Sequence, residues 1–154
     1  MQRIEWSDEY ELGIDVIDAQ HQRIVDYINR LVDLGDNADR RKIAEILDNL
    51  IDYTFSHFAF EESLMEEAGY EFIYVHQNTH EAFTRRLQEL YERFKNGEDV
   101  GLELGEMLQT WLFDHILSDD RSYATQVRTR FALIEQRAGG AWVTNTIRRF
   151  FGKD

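Results

Sequence analysis

The chain has 154 residues, no Pro and no Cys, and its 30 acidic against 17 basic side chains leave a formal net charge of −13. The missing Cys excludes disulfide scaffolds, thiolate metal sites, iron–sulfur clusters and thiol nucleophiles in one step. A pI near 4.7 argues against nucleic acid as a partner, because neutralising phosphates needs clustered Lys and Arg.

With 43% of residues hydrophobic and 13% aromatic, the chain can bury a core, and its length suits one compact domain. The opening Met1-Gln2-Arg3-Ile4-Glu5-Trp6 lacks the apolar run of a signal peptide. No later stretch approaches the roughly 18 apolar residues that a spanning helix needs, so the expected location is the cytoplasm. Charge is uneven: residues 1–120 hold 28 acidic and 10 basic side chains, whereas residues 121–154 hold 2 and 7.

Residues 1–17 carry Trp6, Tyr10, Leu12, Ile14 and Ile17 without a helical stripe, which predicts an extended arm lying along the rest. A first helix is expected over 18–34, where His21, Ile24, Val25, Ile28, Leu31 and Val32 recur at three- and four-residue steps, with Asp18 as its cap and Gly35 as its stop. A second, over 39–67, puts Ile43, Ile46, Leu47, Leu50, Thr54, His57, Glu61, Leu64 and Met65 on one stripe, closed by Gly69. A third, over 70–95, aligns Ile73, His76, His80, Phe83, Leu87, Leu90, Tyr91 and Phe94 before Asn96-Gly97. A fourth begins near Asp99 and turns Leu104, Leu108, Trp111, Leu112 and His115 inward. Four such segments with short connections predict an all-α protein, an up-down-up-down four-helix bundle with an N-terminal extended arm and an extra C-terminal helical tail.

All five His residues of the chain, His21, His57, His76, His80 and His115, fall on these apolar stripes. One buried imidazole is ordinary core chemistry, but five in one core leave many ring nitrogens wanting partners. A metal satisfies one nitrogen of each. His57 and Glu61 are four apart, as are His76 and His80, so each pair projects from one helix face. Glu61 lies inside an apolar stripe, where an ionised carboxylate needs a cation or strong donors. Neighbouring Glu62, Glu66 and Glu67 read as solvated surface charge. Five imidazoles exceed what one metal takes, so two carboxylate-bridged metals are expected; iron fits this donor set, with zinc and manganese also chemically possible. The second carboxylate should follow His115. Asp119 at i+4 suits an undistorted helix, whereas Asp120 at i+5 sits about 140° round it and requires that turn to loosen or tighten.

The motifs His21, His57-Phe58-Ala59-Phe60-Glu61, His76-Gln77-Asn78-Thr79-His80 and His115-Ile116-Leu117-Ser118-Asp119-Asp120 resemble the signature of the hemerythrins, and their flanks resemble single-domain bacteriohemerythrins over about residues 4–124. The resemblance implies a hemerythrin-like domain over 1–124 and leaves 125–154 as a basic, partly amphipathic extension. It also implies two non-haem irons with an oxo or hydroxo bridge, binding O2 reversibly. His76, His80 and His115 would hold one iron and His21 and His57 the other, with Glu61 and Asp120 bridging, so the family pattern selects Asp120. Around the site, Phe58, Phe60, Phe83, Trp111, Leu112 and Ile116 would form a dry pocket that excludes water, with Phe58, Trp111, Leu112 and Ile116 as the O2-pocket candidates. Tyr53, Tyr70 and Tyr74 read as structural.

In the tail, a helix over about 122–137, a break at Ala138-Gly139-Gly140, and a segment with Trp142, Val143, Ile147, Phe150, Phe151, Arg148, Arg149 and Lys153 predict a helix docked on the acidic bundle. The sharper reading is docking on a membrane surface or an oxygen-consuming enzyme. By the resemblance to the hemerythrins, the expected function is O2 storage, transport or delivery to an oxygen-consuming enzyme. The alternative is an O2 or redox sensor acting through a partner protein. No nucleophile triad or phosphate loop suggests an enzyme.

Overall fold

The computed structural model describes residues 3–35, 39–138 and 140–152. Gly139 and Lys153, singled out in the tail, lie outside the described residues, as do Met1 and Gln2. The expected helices form as α1 (Asp15–Leu34), α2 (Arg40–Ala68), α3 (Ile73–Lys95) and α4 (Gly101–Asp114), with no strand among the described residues. Each helix packs against the next and α4 closes back onto α1, which gives the four-helix bundle. No helix among the described residues is long and apolar enough to cross a membrane.

The start of α1 differs from the expectation. Asp18 lies within the helix, and its carboxylate reaches back to accept the N–H groups of Leu12 at 2.8 Å and Gly13 at 3.2 Å. It ties down the turn before the helix and leaves Ile14 as an apolar N-cap. Gly13 adopts φ +84, and a Cβ there would come within 2.9 Å of the Arg128 guanidinium. The arm is extended apart from one 3-10 turn at Asp8–Tyr10, a regular element that the pattern did not predict. Its Ile4, Leu12 and Ile14 are buried, and the Asn29 side chain holds both the N–H and the carbonyl of Ile4.

Asp39 caps α2 by accepting from the Arg41 N–H. Gly69 ends it in the left-handed region at φ +71, with Tyr70 donating to the Met65 carbonyl, the arrangement that satisfies the last carbonyls of a helix. Residues 70–72 form the turn, so α3 starts three residues later than expected.

After α4 the backbone widens into one π-helical stretch, His115–Asp120, and resumes as α5 (Arg121–Ala138) with helical dihedrals at both joints. Helix therefore runs through position 124 without a break, and Tyr123, Ala124 and Val127 are buried in the same core as α1 to α4. The chain turns back at Gly140 into α6 (Ala141–Phe151). Its Trp142 and Phe151 rings pack on Phe60 of α2, and Phe151 also meets Tyr53. The tail helix is docked on the bundle, and Phe60 is fully buried beneath it.

Candidate metal centre

The bundle brings all seven sequence-predicted candidate ligands into one place. His21 comes from α1, His57 and Glu61 from successive turns of α2, His76 and His80 from successive turns of α3, and His115 and Asp120 from the two ends of the π segment. That segment supplies the loosened turn that an inward Asp120 requires. Bonding from i to i+5 brings residues five apart onto one face, so Asp120 is fully buried while Asp119 is 40% exposed.

The contacts among these groups are close. His21 Nε2 and His115 Nε2 lie 3.0 and 2.9 Å from Asp120 Oδ2, and His76 Nε2 lies 2.9 Å from both Asp120 Oδ1 and Glu61 Oε1. His80 Nε2 is 3.0 Å from Glu61 Oε1, and His57 Nε2 is 3.5 Å from Glu61 Oε2. Most of these approaches fail as hydrogen bonds: the Nε2 atoms of His21, His57, His80 and His115 and both Asp120 oxygens are buried without a hydrogen-bond partner. Buried polar atoms are rarely left so. Donors about 2.1 Å from a shared ion and at right angles stand about 3.0 Å apart, the spacing found here. The atoms form two overlapping sets, each within 4.8 Å: His21, His57, Glu61, His115 and Asp120, and Glu61, His76, His80, His115 and Asp120. Both carboxylates belong to both sets, as bridges would, and His115 reaches either. The donor set fits two metal ions.

Comparison with known proteins agrees. The family model described as the hemerythrin HHE cation binding domain matches residues 12–127. The chain belongs to the hemerythrin family. It is 47% identical over 153 residues to a bacteriohemerythrin of Pseudomonas aeruginosa, covering 99% of this chain and all of the relative. A bacteriohemerythrin of Stenotrophomonas maltophilia is 46% identical over 148 residues, 96% and 97% of the two chains. The crystal structure of wild-type hemerythrin superposes with a TM-score of 0.77 at 29% identity, covering 82% of this chain and 98% of its own.

In this hemerythrin chain, charge and burial oppose each other at the cluster. Burial pushes His57 down to about 3. Burial also lowers His76, but Asp120 and Glu61 outweigh it and push the imidazole up to about 9. His115 is likewise held well above its usual range by Asp120, Asp119 and Glu61 against the effect of burial. Burial alone would raise Glu61, yet His57, His115, His76 and His80 hold it well below the carboxylate range. Asp120 is also depressed: burial and Glu61 raise it, and His115 and His21 overcome both. Two buried carboxylates thus stay ionised, and the cluster demands positive charge, which metal cations meet.

Several neighbours of the cluster were not found by sequence reasoning. Tyr123, fully buried, donates its hydroxyl to Glu61 Oε2 at 3.0 Å, and its own ionisation is pushed well up by burial, Glu61 and Asp120. Gln20 Oε1 lies 2.7 Å from His57 Nδ1, and Glu62 Oε2 lies 3.0 Å from His80 Nδ1. Glu62 is therefore no free surface charge; its side chain is 27% exposed and turned toward α3. These partners are 18 to 62 residues apart in sequence, so no local spacing reveals them. Of the candidate pocket residues, Phe58 stacks on His80 with centroids 3.8 Å apart, and Trp111 stacks on His115 at 4.5 Å and on Phe83 at 3.8 Å. Leu112 and Ile116 are buried in the core.

Proposed function

We propose that the chain binds O2 reversibly at two non-haem irons held by His21, His57, Glu61, His76, His80, His115 and Asp120, and that it serves O2 storage, transport or delivery to an oxygen-consuming enzyme. The observation that carries this reading is the set of buried, partnerless imidazole nitrogens converging on two shared carboxylates. The relatives named bacteriohemerythrin support it. Two ferrous ions held there would supply the electrons that O2 takes up on binding and returns on release. The protein's part is to keep that exchange reversible. Five neutral imidazoles against two carboxylates favour the ferrous pair over the higher charge states that anionic oxygen ligands stabilise. Phe58 and Trp111 cover the His80 and His115 rings, and Leu112 and Ile116 complete the pocket proposed to admit O2 and exclude water. Tyr123 fixes the second Glu61 oxygen with a hydroxyl proton. The tail helix α6 packs on the bundle itself, with Trp142 and Phe151 against Phe60 of α2.

The test is iron content together with the visible spectrum of the reduced protein under argon, in air, and under argon again. Two irons per chain and an absorption band that appears with O2 and leaves without it are expected. A permanent ferric spectrum after one exposure would move sensing or turnover ahead of carriage, and a protein unable to hold iron would overturn the reading.

A further inference from the structure

Two of the five imidazoles have outer nitrogens at hydrogen-bond distance from a side chain, and the two acceptors differ in charge. His80 Nδ1 faces the Glu62 carboxylate at 3.0 Å, and His57 Nδ1 faces the Gln20 amide oxygen at 2.7 Å. The outer nitrogens of His21 and His115 have no such partner, Asp119 standing 3.9 Å from the latter. The two acceptors divide between the two donor sets, since His57 lies with His21 and His80 with His76. Both contacts are sheltered: Gln20 is buried, and Phe58 stacks flat on the His80 ring at 10°.

An imidazole that binds a cation through Nε2 carries its proton on Nδ1. A carboxylate accepting that proton pulls the N–H bond toward itself and pushes electron density onto Nε2, making the ring a stronger donor; an uncharged amide oxygen does so less. We propose that Glu62 and Gln20 make the two metal positions electronically unequal, with the position built on His76 and His80 the electron-rich one and the position built on His21 and His57 the more Lewis-acidic one. Glu62 and Gln20 are positioning and tuning residues that act through His80 and His57. The inference rests on the two-metal reading above and goes beyond it, because neither residue touches a metal or O2.

Glu62→Gln keeps the shape and an acceptor oxygen while removing the charge. It is expected to weaken Co(II) at one of two titrated positions about tenfold, the low end for loss of such a partner. In the iron-loaded protein the oxidised state should lose about tenfold relative to the reduced one, a rise in midpoint of about 59 mV for a one-electron couple. Gln20→Glu should shift the other position the opposite way. Glu66→Gln, one turn along α2 and exposed, removes the same charge without meeting an imidazole and should change neither quantity. Equal shifts in Glu62→Gln and Glu66→Gln would overturn the proposal in favour of long-range charge. No shift in Glu62→Gln would overturn it too, leaving Glu62 as a prop for the ring. A wild-type protein that cycles with O2 while Glu62→Gln leaves both quantities unmoved sinks this inference alone. A wild type indifferent to O2 whose Co(II) affinity still responds sinks only the carrier reading.

Discussion

Deleting Leu117 should convert the π segment into ordinary helix without dispersing the candidate ligands. Leu117 is 41% exposed, so its loss removes no core side chain. At about 100° per residue, an unbroken α-helix through the present sequence would place Ile116, Asp120, Tyr123, Ala124 and Val127 at about 100°, 140°, 80°, 180° and 120° from His115, a spread of half the circumference. With one residue removed, the last four move to about 40°, 340°, 80° and 20°. All six side chains then share an arc of about 120°, facing the bundle as they do now through the wider turn. The deletion variant should retain two metals per chain by elemental analysis. Its stability should change by less than about 1 kcal/mol, or about 2–4 °C in Tm for a chain of this size. Loss of either metal, or a fall in Tm beyond about 10 °C, would refute the claim that the π turn serves only to accommodate one extra residue.

Tyr123→Phe leaves the ring in place and deprives Glu61 Oε2 of its donor, which should cost about 1.5–3 kcal/mol, the range for a hydrogen bond to a charged group, read by denaturant unfolding. Phe60→Ala removes a fully buried ring shared by Trp142 and Phe151; a loss of about 3–5 kcal/mol is expected, with Trp142 emission shifting red as α6 loosens. Burial raises Tyr53 to about 12. The stability carried by its neutral phenol is complete below the unfolded value near 10 and is lost as pH rises through about 12. Tyr53→Phe should therefore flatten that part of the alkaline unfolding curve, and an unchanged curve would show that the phenol contributes nothing.

The helices were legible because their apolar residues repeat at helical spacing over 14 residues or more, and the five His residues were conspicuous because each interrupts such a stripe. Helix ends were read less well. Asp18 has the chemistry of a cap, but whether it caps its own helix or holds the preceding turn depends on where Leu12 and Gly13 lie. Asp120 was legible only as a conflict: its spacing from His115 is wrong for an α-helix, and the π segment is the backbone's resolution of it. Gln20, Glu62 and Tyr123 were invisible, since each acts on a partner from another helix. The tail's apolar residues predicted a surface to be covered, and Phe60 and Tyr53 are what they cover; nothing near Trp142 in sequence names them.

The docking of α6 also separates charge. Up to Asp120 the chain holds 28 acidic and 10 basic side chains, and from Arg121 onward 2 and 7. Because the aromatic side of α6 faces α2, Arg148 and Arg149 are left outward. The molecule thus has a permanent electric dipole superimposed on its net −13. In an external field it experiences a torque as well as a force, so a charged body approaching within a screening length, about 8 Å at physiological ionic strength, turns it before touching it. Against the acidic flanks of the bundle, the outer face of α6 is the side on which Arg148 and Arg149 offset that negative charge. Encounters are sorted by face before any contact is made.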